Sequence, residues 1–73
     1  MGFNYNKLWK LLIDKNMKKK DLRSTTGIST NTLAKLGKNE NVSTAILAKI
    51  CSALECNVED IVEFIPEKDR REE

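Results

Sequence analysis

A lone glycine set between apolar residues at helical spacing constrains this chain more than any other feature. Leu22 lies five residues before Gly27, Ile28 follows it directly, and Leu33 and Leu36 stand beyond it as an i, i+3 pair. Glycine adopts positive φ without a Cβ penalty, so Gly27 can end one helix abruptly and redirect the chain into another. Ser29 then offers a hydroxyl to the unpaired amides at the start of that second helix. Two short helices joined by such a turn lock at a steep angle, with their apolar residues inward and the second helix protruding.

The rest of the chain carries the same period. Tyr5, Leu8, Trp9, Leu11, Leu12 and Ile13 predict a helix over 5–15, which Asn16 stops. A second, short and exposed helix over 18–26 has Leu22 as its strong apolar anchor, and a third spans 30–38. Residues 38–42 show no apolar period and include Asn39 and Asn41, both tolerant of left-handed backbone, so they read as a loop. Ser43 caps a fourth helix, where Leu47, Ile50, Cys51 and Leu54 stand at i, i+3, i+4 and i+7. Asn57 and Asp60 resemble a capping box opening a short fifth helix through Val58, Ile61, Val62 and Ile65, closed by Pro66. No segment alternates with period two for long enough to predict a strand, and Phe3 and Tyr5 are the sole hint of extended structure at the N-terminus.

At 73 residues there is room for one core. The expectation is an all-α, compact five-helix bundle over residues 1–66, followed by a charged C-terminal tail over 67–73. Its expected core is Leu8, Leu11, Leu12, Leu22, Ile28, Leu33, Leu36, Leu47, Ile50, Leu54, Cys56, Val58 and Ile61. Trp9 is expected at the core edge.

With two cysteines and no histidine, the chain lacks the ligands of a zinc finger and the imidazole of a His-based triad, so no metal, no cofactor and no enzymatic activity are expected. Cys51 and Cys56 read as small buried hydrophobes rather than reactive thiols, and a disulfide between them is not expected in a reducing cell. No unbroken apolar run approaches the length of a membrane span, and the polar start is unlike a secretory signal. A cytoplasmic location is expected.

Charge is unevenly distributed. Residues 1–38 hold nine Lys or Arg against Asp14 and Asp21, a surplus of seven positive charges. Residues 39–73 hold four against nine acids, a surplus of five negative ones. A basic half joined to an acidic half suits a chain that meets a polyanion on one face, although a plainly solvated surface reads the same way.

The run Leu22, Gly27-Ile28-Ser29, Thr32-Leu33 and Leu36, with Ser43 opening the next helix and the ending Ala53-Leu54-Glu55-Cys56-Asn57-Val58-Glu59-Asp60-Ile61, resembles the Cro/CI-type (Xre) helix-turn-helix family. The resemblance extends over about residues 5–65, and Leu54-x-Cys56 with Phe64-Ile65-Pro66 is similar to its small stand-alone members. It implies the lambda-repressor-like fold. Arg23 and Thr26 stand where the family usually has Ala and an apolar or small residue, Asn39 where Gly is frequent, and Glu55 where Gly often ends the fourth helix. Arg23 must therefore point its guanidinium outward or the angle between the helices must open slightly, and Glu55 must bear left-handed strain.

The resemblance further implies a sequence-specific DNA-binding transcriptional regulator whose third helix enters the major groove. Base-reading would fall to Thr30, Asn31, Thr32 and Lys35, with Asn31 suited to bidentate pairing with adenine. Phosphate contacts would come from Lys18 and Lys19 at the start of the second helix, beside Lys20, and from Lys38, Asn39, Asn41 and Ser43 around the loop. The expected partners are double-stranded DNA and a second copy of the chain, the latter through Ile61, Phe64 and Ile65, with no small-molecule ligand and no membrane. The competing reading is a protein-interaction module of antitoxin-like or regulatory kind.

Overall fold

The computed structural model describes residues 2–66, so the charged tail expected over 67–73 lies outside the described residues. In chain order the elements are β1 (Gly2–Asn4), α1 (Asn6–Asp14), α2 (Lys19–Thr26), α3 (Thr30–Gly37), α4 (Thr44–Leu54), a 3-10 turn (Val58–Asp60) and β2 (Glu63–Ile65). No helix among the described residues is long and apolar enough to cross a membrane.

The third and fourth helices begin at serine caps, and all four helices end at or beside a left-handed residue. Ser29 Oγ accepts the Thr32 amide at 3.0 Å to open α3, and Ser43 Oγ accepts the Ile46 amide at 3.3 Å to open α4. At the other ends, Asn16, Gly27, Asn39 and Glu55 take φ of 57°, 77°, 59° and 55°. These left-handed residues turn the last amides back onto the helix: Met17 N donates to Leu12 O at 2.8 Å, Glu40 N to Lys35 O at 2.9 Å, and Cys56 N to Cys51 O at 3.0 Å. Gly27 N donates to Arg23 O at 2.8 Å in the simpler version of the same stop. A Cβ added at Gly27 would meet nothing within 4 Å, so its positive φ, and not lack of space, is what calls for glycine there.

The fifth helix does not form. After the single 3-10 turn, in which Asp60 Oδ2 accepts the Asn57 amide at 2.9 Å, the chain extends and β2 pairs antiparallel with β1. Phe3 lies opposite Phe64, their rings edge to face with centroids 5.4 Å apart. Proline explains the difference: Pro66 disfavours helical backbone at Ile65, and an extended Glu63-Phe64-Ile65 can instead pair with the N-terminal strand. The bundle thus has four α-helices, with a two-stranded sheet joining the ends of the described chain.

The core consists of Tyr5, Leu8, Leu12, Leu22, Ile28, Leu36, Ile50, Leu54 and Ile61. Leu11, Leu33, Leu47 and Cys56, expected inside, pack against it half-buried, as does Trp9. Val58 corrects the expectation: it is 48% exposed, because the turn sets it at the mouth of a surface hollow instead of folding it inward. Tyr5 is the member that periodicity understates. It sits just before α1, fully buried, with its hydroxyl donating to Glu40 O at 2.9 Å and its amide donating to Asn39 Oδ1 at 3.0 Å. Burial raises its phenol pKa above the ordinary value. Arg23 is exposed, as its outward reading requires. Thr26 is satisfied locally, its hydroxyl donating to Leu22 O at 2.7 Å.

Two substitutions probe these stops. Glu55→Gly is expected to raise the unfolding free energy by about 1 kcal/mol, because it relieves a left-handed side-chain residue. Asn39→Ala is expected to lower it by about 1–3 kcal/mol, because the Tyr5 amide loses its acceptor. Urea denaturation monitored by helical circular dichroism measures both.

Candidate nucleic-acid interface

The helix that follows the Gly27 turn is α3. Leu33 and Leu36 hold it inward, Leu36 fully buried, which leaves Thr30, Asn31, Ala34, Lys35 and Lys38 outside the core. Those positions fall on one side of a 3.6-residue helix, opposite Leu36. The outer face therefore presents a hydroxyl, an amide, a methyl group and two ammonium groups along about two turns. Near its start the side chains are short, so a bulky surface can approach the backbone.

Ala34 is absent from the expected reading residues, yet it lies at the centre of this face. Its position between Thr30 and Lys35 is the available signal, since i and i+4 share a face. Thr32 does not join the face. It is half-buried, its amide donates to Ser29 Oγ, and its Oγ1 accepts the Ser29 hydroxyl at 3.0 Å. Its hydroxyl lies against the Ser29 cap, to the side of the face formed by Thr30, Asn31, Ala34 and Lys35.

A second group of donors gathers before α4. The Ser43 cap takes the Ile46 amide, and a helix start leaves its earliest amides, here those of Thr44 and Ala45, without intrahelical acceptors. Lys38, Asn39 and Asn41 precede them, all exposed. Asn39 is already engaged, since its Oδ1 accepts the Tyr5 amide, so it braces the loop against the start of α1. Lys38 and Asn41 have no such tie among the described side-chain hydrogen bonds.

At the start of α2, Lys18, Lys19 and Lys20 are exposed. Like charges near a helix N-terminus repel the positive end of its dipole, and Asp21 offsets this, its Oδ2 accepting the Lys18 amide at 2.9 Å. Lys19 is steadied sideways, with Nζ 4.6 Å from the centroid of the Trp9 ring on α1. That gives Trp9 a role beyond packing at the core edge.

The expected second-copy contacts divide. Phe64 and Ile65 are 52% and 37% exposed on β2, whereas Ile61 is fully buried in the core and has no surface to offer. Sequence periodicity places Ile61 on the same helix face as Ile65, and the loss of that helix separates them. Phe3 and Val58, not among the expected contacts, are exposed at 43% and 48% and line a hollow of about 390 Å³ with Val42, Leu47 and Val62.

Comparison with known proteins supplies the context for this arrangement. A family model described as the Cro/C1-type HTH DNA-binding domain matches residues 7–67. A search of curated proteins finds no match. Among solved structures, the crystal structure of the transcriptional regulator VanUg (Form II) is similar, with 57% sequence identity and a TM-score of 0.87, over 90% of this chain and 88% of that one.

The Lys19 and Trp9 contact gives a direct readout. Lys19→Ala is expected to change the steady-state fluorescence of Trp9, the chain's one tryptophan, while altering stability by less than about 1 kcal/mol. An unchanged emission spectrum would show that the ammonium does not rest on the ring in solution.

Proposed function

We propose, for a chain that belongs to the Cro/C1-type helix-turn-helix DNA-binding family and is a DNA-binding transcriptional regulator, that α3 reads DNA sequence in the major groove. The observation carrying this reading is the outward face of Thr30, Asn31, Ala34 and Lys35, rigidly backed by buried Leu36. Asn31 pairs with adenine through its amide, and Thr30 and Ala34 suit contact with a thymine methyl group. Lys35 reaches a guanine edge or a phosphate. Lys18, Lys19, Lys38, Asn41 and the amides opening α4 hold phosphates on either side and set the register.

One helix contacts few base pairs, so useful affinity calls for two copies on a pseudo-palindromic site with half-sites about 34 Å apart. The second copy docks on the apolar end of the domain, through Phe64 and Ile65 with Phe3 and Val58 beside them. The regulator acts in the cytoplasm, as a binding protein rather than an enzyme.

Selection of binding sites from random DNA tests both halves of this proposal. The enriched site is expected to be two-fold symmetric, with affinity falling steeply as salt rises. Asn31→Ala is expected to weaken the selected site by about 1–3 kcal/mol while sparing nonspecific binding. Lys19→Ala weakens all sequences alike and lowers the magnitude of the salt slope by about one. Absence of any enriched sequence would overturn the readout. Sedimentation showing a monomer, both free and on the enriched site, would overturn the dimer.

A further inference from the structure

Cys51 and Cys56 are the only cysteines of the chain, and both flank the left-handed stop of α4. The geometry there is a six-residue closure, Cys56 N donating to Cys51 O at 3.0 Å. Closures of this type bring the first and last side chains together, and an apolar pair usually fills the two positions. The end of α1 obeys that rule, with buried Leu12 and half-buried Met17 at the equivalent places. At the end of α4 the pair is two thiols.

Several observations bring these thiols to one place. Both line a single hollow of about 400 Å³ with Ser52, Asn57 and Asp60, and both are half-buried, in place of the full burial expected from sequence. Neither is in a disulfide. Desolvation raises the Cys56 pKa, and contact with the Cys51 thiol adds to the rise. Standard backbone lengths extend each Cα only about 1.5–2.4 Å beyond the bonded N or O, so the closure keeps the two Cα atoms within about 7 Å. Disulfides span Cα separations of about 4.4–6.8 Å. The pair lies at the opposite end of α4 from Ser43, about 16 Å along an 11-residue helix, and takes no part in the proposed DNA contacts.

We propose that Cys51 and Cys56 form a dithiol modification site, which a low-molecular-weight disulfide oxidises to an intramolecular disulfide across the end of α4. One cysteine, as thiolate, attacks a sulfur of the small disulfide, whose S–S bond breaks and releases one small thiolate. The second cysteine loses its proton to solvent and attacks the protein sulfur of the mixed disulfide, releasing the other small thiolate. The two protein thiols give up two protons and two electrons, and the small disulfide is reduced to two thiols. The new bond closes the α4 stop covalently where one hydrogen bond closes it now. It leaves the face of α3 untouched.

The test treats the full chain with glutathione disulfide and tracks intact mass, free thiols and non-reducing electrophoresis. The expected product has lost both thiols and about 2 Da, remains a single chain, and melts on the order of 5 °C higher than the reduced protein. Cys51→Ser and Cys56→Ser are each expected to stop at the mixed disulfide and retain one glutathione, which shows that the cysteine removed is the one that resolves it in the wild-type chain. DNA affinity is expected to be equal in the oxidised and reduced forms. A wild-type chain that keeps a stable glutathione adduct, forms interchain links, or retains both thiols where the single-cysteine variants are modified overturns the proposal.

Discussion

The architecture depends on stopping helices sharply. Four α-helices fit between residues 6 and 54 because each ends within about two residues, at Asn16, Gly27, Asn39 or Glu55, in left-handed backbone. An L-residue with a side chain sits there at a cost of about 1–2 kcal/mol, which asparagine reduces by local hydrogen bonding and glycine avoids. Glycine is used once, at the turn between α2 and α3, where φ reaches 77°. Asn39 offsets its cost differently, since the same residue that turns the backbone also accepts the Tyr5 amide. Glu55 has no compensating side-chain hydrogen bond among those described, and its stop is held by the amide of Cys56 and by Ile61, buried in the core just beyond the turn.

That distribution of stops is what presents α3. Gly27 turns the chain out of α2, Ser29 restarts it, and Asn39 ends it while tying the next loop to Tyr5. Tyr5 completes the tie through its hydroxyl on Glu40 O, so a single buried ring links the start of α1 to the loop after α3. Buried Leu36 is then the floor on which the outer face rests. Rigidity at the start and end of a short helix substitutes for the length that would otherwise fix its direction.

The four helices are legible in the sequence to within about two residues because caps are local: a serine and the amide three residues on need no information from elsewhere. The ending is not legible. Val58, Ile61, Val62 and Ile65 keep a helical period, and only the pairing of Phe64 with Phe3, about sixty residues distant in sequence, reveals that the segment is extended. The candidate site shows the same division. Periodicity places Thr30, Asn31 and Lys35 on the outer side of α3, and no described hydrogen bond competes for their side chains. Thr32 and Asn39 each carry a tie that composition does not disclose, one to the Ser29 hydroxyl and one to the Tyr5 amide, and the side-chain NH2 of Asn39 is left to donate elsewhere.

The lopsided charge along the chain takes on a spatial meaning in the fold. Lys18, Lys19 and Lys20 cluster at the start of α2, and Lys35 and Lys38 lie on α3 and just past its end. Glu55, Glu59, Asp60 and Glu63 gather around the far end of α4 and the turn beyond it, where Lys7 Nζ donates to Glu59 O at 3.2 Å. A net charge of only +2 would attract a polyanion weakly if spread evenly. Concentrated at the start of α2 and on α3, the lysines give that part of the surface a local positive surplus that favours the approach of phosphates.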